Sequence, residues 1–346
     1  MAVPPTVREP AKGGLRGLLI AVVALLVAGG AAVGLYFYFR VLDYVPLAHR
    51  HVPAGSNIVL RADGPKIVLF KPMRDHLWPL LLEGQDEKQG EGRRLRLIEE
   101  KTGVKLPLHL REVIIASLDA ASWVVVLGGT FPAGRFVAGM AEVLRAEGVK
   151  GWSLDGDLLV SERGPALGQA DDGTIVLGTT RQIAQTALPV SDDGSPVPGP
   201  ITGEALSFLV NQRAYQGAVS LLPPDLPGLD SLSQVEQVTG TMTLSEQPQL
   251  LLEVQPKDGT DAAELGRRLE RFFVGLRAAA KLESGQLGGA KAALDAAAVE
   301  VDGKVVRITA PWPYEPLDRA VKQLADALRS GEKLGSADRS EKLRPF

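Results

Sequence analysis

A chain of 346 residues with 45% hydrophobic and 23% charged side chains has the composition of a folded protein, long enough for two domains of ordinary size. Its formal net charge of −3 leaves no electrostatic footprint for nucleic acid. The absence of cysteine excludes disulfides, thiolate catalysis, cysteine-ligated zinc or iron–sulfur centres and lipoprotein acylation.

Residues 1–16 carry proline and charge without an apolar period and are expected to form a disordered cytoplasmic tail. From Gly17 to Phe39, 23 residues bear no charge, bracketed by Arg16 and Arg40. A helix of that length covers about 34 Å, enough to cross a hydrocarbon core. The cluster Tyr36–Phe39 stands where an interfacial aromatic belt would. A cleaved signal peptide would end near Gly30-Ala31-Ala32, but the stretch stays apolar well beyond that site, so an uncleaved single-pass signal anchor is expected. Arg8, Lys12 and Arg16 precede it, against Arg40 and Arg50 after it. That bias favours a cytoplasmic N-terminus. The 24 Arg against 14 Lys suggest a GC-rich bacterium, hence an inner-membrane protein whose C-terminal region is periplasmic. Gly30 and Gly34 have the GxxxG spacing at which two such helices could pack into a homodimer, although chance in a Gly/Ala-rich span is the simpler reading.

Residues 40–56 read as a connector containing His49 and His51. On an extended chain these two would point the same way and could share a metal. With Asp43 the only nearby carboxylate, no metal site is expected.

A first module is expected over 57–188. It opens with the strand Asn57–Ala62, then a helical run that Pro72 and Pro79 must break. A short helix ending in Gly103, two strands on either side of Asp119-Ala120-Ala121, and a helix with Phe136, Met140, Val143 and Leu144 on one stripe follow. Asp155-Gly156 and Asp172-Gly173 mark hairpins before a closing helix. The Pro- and Gly-dense stretch 189–204 reads as a linker. Over 205–329 the same order returns, with a long helix striped by Leu265, Leu269, Phe272 and Phe273, a hairpin at Asp302-Gly303 and a closing helix. Residues 330–346 are a charged, disordered tail. The expected fold is therefore α+β: an N-terminal transmembrane helix, then two tandem β-α-β-β-α-β-β-α modules with antiparallel or mixed sheets covered by helices.

The segments His51–Asp63, Lys101–Val113 and Val124–Phe136 resemble uncharacterised bacterial single-pass membrane-anchored proteins with a repeated α+β exported domain, a family of unknown function. The resemblance covers roughly Val52–Leu188. It implies the architecture and carries no catalytic residues across.

Motifs for chemistry are absent: there is no G-x-S-x-G, no S-x-x-K and no phosphate-binding G-x-x-x-x-G-K-[ST]. The Gly-rich Gly285–Ala292 follows a helix rather than a strand, and the Asp-Gly pairs lack the spacing of a calcium loop. No cofactor and no enzymatic activity are expected. Trp312 and Tyr314, between prolines, and Trp78, beside Pro79, are candidate protein contacts; the competing reading makes them lids over helix starts. The leading expectation is a membrane-anchored periplasmic binding or scaffolding protein, held in the bilayer through 17–39 and partnered by another envelope protein. The alternative is a small-ligand binder or carboxylate-based enzyme with its site between the modules. A structural anchor dimerised through Gly30 and Gly34 is the third.

Overall fold

Short β-branched and apolar runs punctuated by turns build twelve strands among the described residues, and every strand pair is antiparallel within one sheet. The computed structural model describes residues 47–77, 79, 91–105, 108–119, 121–190, 204–214, 229–280 and 290–330. The strands are β1 (Ile58–Asp63), β2 (Leu110–Ser117), β3 (Trp123–Gly129), β4 (Trp152–Asp155), β5 (Leu158–Ser161), β6 (Ala166–Gln169), β7 (Ile175–Gly178), β8 (Leu206–Asn211), β9 (Val235–Thr243), β10 (Gln249–Pro256), β11 (Ala298–Asp302) and β12 (Val305–Pro311). Among the described residues seven α-helices accompany them: α1 (Gly64–Leu69), α2 (Glu91–Thr102), α3 (Phe136–Ala146), α4 (Arg181–Ala187), α5 (Ala262–Ala280), α6 (Ala290–Asp295) and α7 (Tyr314–Ser330).

The sheet order is β11-β12-β10-β9-β8-β1-β2-β3-β7-β6-β5-β4. This corrects the expectation of two tandem modules with separate antiparallel or mixed sheets. The halves share one sheet, joined through their first strands, with Ile58 opposite Val210 and Ala62 opposite Leu206. The physical reason lies in the strand edge: unpaired, β1 would present a row of open N–H and C=O groups, and β8 satisfies them. Reading outward from this junction, each half runs first, second and third strand, then its last strand and the one before it, and the first half adds β5 and β4 at its rim.

The transmembrane helix of the expected fold falls on residues 17–39, outside the described residues; no described helix is long and apolar enough to cross a membrane. All described residues belong to the unit Pro46–Phe346.

Residues directly opposite each other in antiparallel strands share a face, so the registers sort the sheet's side chains into a front and a back. On the back, Val59, Ile114, Ala116, Val124, Val126, Val176 and Leu209 form a core under α4 and a 3₁₀ turn at Ala48–His51. Thr180 caps α4 by accepting from the Ile183 N–H, and Gly178 lets the helix sit tight: a Cβ there would lie 2.6 Å from the Ala184 nitrogen. On the front, α3 packs Phe136 and Met140 over Leu127, Leu167 and Ile175, while α5 packs Leu265 and Leu269 over Val254, Val306 and Ile308. The back of the second half is instead polar and half-exposed, with Thr239, Thr241, Glu253 and Arg307; Arg307 pairs with Glu253 at 3.1 Å and Asp302 at 3.0 Å.

Candidate binding surface

One row of front-face side chains crosses the whole sheet. From Leu60 it runs through Ile115, Val125, Leu177, Leu167, Leu159 and Leu154 in one direction. In the other it runs through Phe208, Gly240, Leu252, Ile308 and Val299. Every member is apolar. Gly240 belongs because the Phe208 ring lies over it: a Cβ at 240 would stand 2.3 Å from the ring.

The row is covered under α3 and α5 and open between them, and its outermost member Leu154, at the sheet rim, is 52% exposed. Leu159 under α3 is 2% exposed and Ile308 under α5 is 3% exposed, whereas Leu60 and Leu177 are 37% and 40% exposed. Ile115, Val125 and Phe208 between them are half-buried. The row below is apolar too, with Ala62, Val113 and Leu206, while the row above holds Ile58 and Val210 together with Ser117. Five strands at about 4.8 Å spacing give an open strip roughly 20 Å across, on the order of 300 Å². It lies over the junction of the two halves. A single α-helix with its side chains, about 10–12 Å wide, fits within it.

The junction is pinned by the only two asparagines of the chain. Asn211 donates its side-chain N–H to Asn57 Oδ1 at 2.8 Å, and the Asn57 amide nitrogen donates in turn to the Leu118 carbonyl. Asn211 Oδ1 accepts from the Arg213 N–H at 3.1 Å. One amide pair thus ties the ends of β8, β1 and β2.

Behind the strip lies a buried charge cluster. Arg61 Nε donates to Glu112 Oε2 at 2.7 Å, and Asp63 stands 3.9 Å from the same guanidinium. Glu112, 1% exposed, also accepts the Ala48 N–H at 3.2 Å, while Asp63 accepts the Lys66 N–H and caps α1. Asp63 and Glu112 are opposite each other in the β1–β2 register. A carboxylate pair near the junction is what acid–base chemistry would need, yet both members are engaged by Arg61 and by backbone N–H groups.

His51 is not extended beside His49; both belong to the 3₁₀ turn. Its side chain is fully buried, with Nδ1 2.9 Å from the Ala187 carbonyl and Nε2 3.1 Å from Asp172 Oδ2. Both ring nitrogens are occupied, so neither is open to a metal. Among the described residues no cluster of three or more His, Asp and Glu could hold one.

Of the residues singled out by sequence, Tyr314 packs its ring edge-on to Phe70 at 6.0 Å, with its hydroxyl buried. Trp312 is half-buried, and its backbone N–H donates to the Pro248 carbonyl at 2.7 Å. Next to them His76 meets Asp318 at 3.1 Å, fastening the start of α7 to the π-helical turn Met73–Leu77. Neither Trp312 nor Tyr314 is a member of the strip. Trp78, Gly30 and Gly34 lie outside the described residues. Sequence reasoning missed Leu60, Ile115, Val125, Leu177 and Phe208. Their signal was strands apolar at consecutive positions, such as Ile58-Val59-Leu60 and Val113–Ala116, which put apolar side chains on both faces.

No family model and no curated protein matches the chain. Among solved structures, crystal form I of TP0453 is similar over 83% of this chain and 98% of that one, at 11% identity and a TM-score of 0.42. A likeness of that size carries no functional inference.

Proposed function

We propose that the protein is a non-enzymatic, membrane-anchored binding protein of the bacterial envelope, with the open apolar strip as its binding surface and the uncharged stretch 17–39 as its membrane contact. The single observation behind this reading is the strip itself: an all-apolar row continuous across twelve strands, covered under α3 and α5 and open between them at Leu60 and Leu177. Its occupant, on this reading, is the apolar face of a helix from another membrane-held protein. Covering about 300 Å² at about 25 cal/mol per Å² contributes roughly 7 kcal/mol, the same order as the cost of association. The strip alone would therefore hold a freely diffusing partner weakly. A partner confined to the same membrane meets it at a raised effective concentration, which makes up the difference.

A photo-crosslinking amino acid placed at Leu60 or Leu177 in living cells tests this. A discrete adduct with another membrane protein is expected at these positions and not at Thr239 on the polar back. Adducts at neither position, or equal labelling on both faces, would overturn the reading. A low-mass adduct alone would favour the small-ligand alternative. Protease digestion of spheroplasts tests the topology, since the sheet is expected to be accessible.

A further inference from the structure

The segment that enters the sheet domain is strapped across the back core by the Ala48 N–H to Glu112 bond, by buried Ala48 and Val52, and by one histidine. Ala48 and Val52, 0% and 1% exposed, fill the back-face core beside Val59 and Leu209. His51 secures the strap to two distant elements, the C-terminal end of α4 through the Ala187 carbonyl and the β6–β7 turn through Asp172. A carbonyl and a carboxylate can only accept hydrogen bonds. A ring that makes both bonds must therefore carry a proton on each nitrogen.

We infer that His51 and Asp172 form a pH-sensitive latch: the imidazolium holds the strap residues 48–56 on the domain, and loss of its proton releases them.

The neutral ring keeps one N–H, so its other nitrogen turns a lone pair towards an acceptor; the ring itself is fully buried, while Asp172 reaches solvent. The bonded form is the protonated one, because both partners of the ring are acceptors, so the contact needs the second proton. Asp172 stays ionised while the ring loses that proton: burial would raise its carboxyl, but hydrogen bonds from the Thr174 N–H, His51 and the Thr174 hydroxyl outweigh it and hold it below the usual carboxylate value. The surrounding charges leave His51 and Asp172 as the responsive pair. Asp171 precedes Asp172 in the turn, and His49 and Arg50 share the strap's own 3₁₀ turn. Glu112 of β2 bonds the Ala48 N–H and is held by Arg61 of β1. The ionisable residue of α4, Arg181, pairs with Asp155 at 2.5 Å at the helix's other end, and β3 carries no ionisable side chain. Opening the strap would expose the back-face core around Val59 and Leu209.

Amide hydrogen exchange of the full-length protein in detergent, corrected for intrinsic rates, reads the latch directly from about pH 5 to about pH 8. Protection of residues 48–56 is expected to fall at least about tenfold on going up in pH, while β2 and β3 keep theirs. His51→Gln should remove the pH dependence. Asp172→Asn should also remove it, with the strap still closed at the alkaline end, because an amide N–H can donate to the neutral ring. Ring nitrogen NMR of the wild type is independent of any variant's folding, and should show two protonated nitrogens on His51 when the strap is closed. Strap protection unchanged with pH, a pH dependence surviving in His51→Gln, or a singly protonated ring in the closed state would each overturn the latch.

Discussion

Glu112 illustrates how much of this fold hangs on single buried groups. It is 1% exposed, bonded to Arg61 at 2.7 Å and to the Ala48 N–H. Removing one member of such a pair strands the other charge, at a cost of about 3 kcal/mol or more. Glu112→Gln should therefore lower the unfolding free energy by about that amount in chemical denaturation, and a loss below about 1 kcal/mol would show that Arg61 finds relief elsewhere. At Gly240, an added methyl meets the Phe208 ring. Gly240→Ala is expected to cost about 1–3 kcal/mol, and combining it with Phe208→Leu should cost less than the two separate losses together. Asp172 supplies the acid-side pH dependence. Its folded value is depressed, so its contribution is present above its ordinary value of 3.8 and is lost as pH falls through the folded value. The melting temperature of the wild type should drop more on acidification below about pH 4 than that of Asp172→Asn; parallel curves would contradict the assignment.

At the scale of elements, local chemistry and turns were legible in the sequence, and their assembly was not. Asp155-Gly156 and Asp302-Gly303 read as hairpin turns, and both glycines take positive φ, 61° in each case, between strands that pair. The Phe136/Met140 and Leu265/Leu269 stripes are those that face the sheet. Asp261 caps α5 by accepting from the Ala263 and Glu264 N–H groups, at 2.7 and 3.2 Å. Glu264 itself is pushed down to about 2 by hydrogen bonds from Arg268 and Arg267, so the helix start keeps its negative charge. Asp261→Ala should cost about 1 kcal/mol of stability, measured by thermal melting. What the sequence hid was the pairing of β1 with β8, because nothing local marks a partner lying about 150 residues away by the chain order of their registers. The two asparagines at 57 and 211 were visible only as a rarity until the structure placed one against the other. The i, i+2 geometry weighed for His49 and His51 presumes extended backbone, and a 3₁₀ turn stands there.

For the molecule as a whole, the consequence of one shared sheet is mechanical continuity. Two modules with separate sheets could unfold separately, whereas halves joined through β1 and β8 should lose structure together. A single calorimetric transition with matching calorimetric and van't Hoff enthalpies is the expected outcome, and two resolved transitions would contradict it. The apolar strip depends on the same junction, since Leu60 and Phe208 form one row only if the strands meet in this register. The absence of cysteine gives a clean background for testing it. Ile58 and Val210 flank the hydrogen-bonded Asn57–Asn211 pair and so form a non-hydrogen-bonded pair, where Cα atoms lie about 4.5 Å apart and a disulfide can close. The most direct measurement is the oxidation of Ile58→Cys/Val210→Cys in the full-length protein, beside the slipped pair Ile58→Cys/Leu209→Cys. Near-complete intramolecular crosslinking of the first, with little of the second, is the predicted result. No crosslink in the first, or equal crosslinking in both, would mean that the halves do not share this sheet and that the strip across them does not exist.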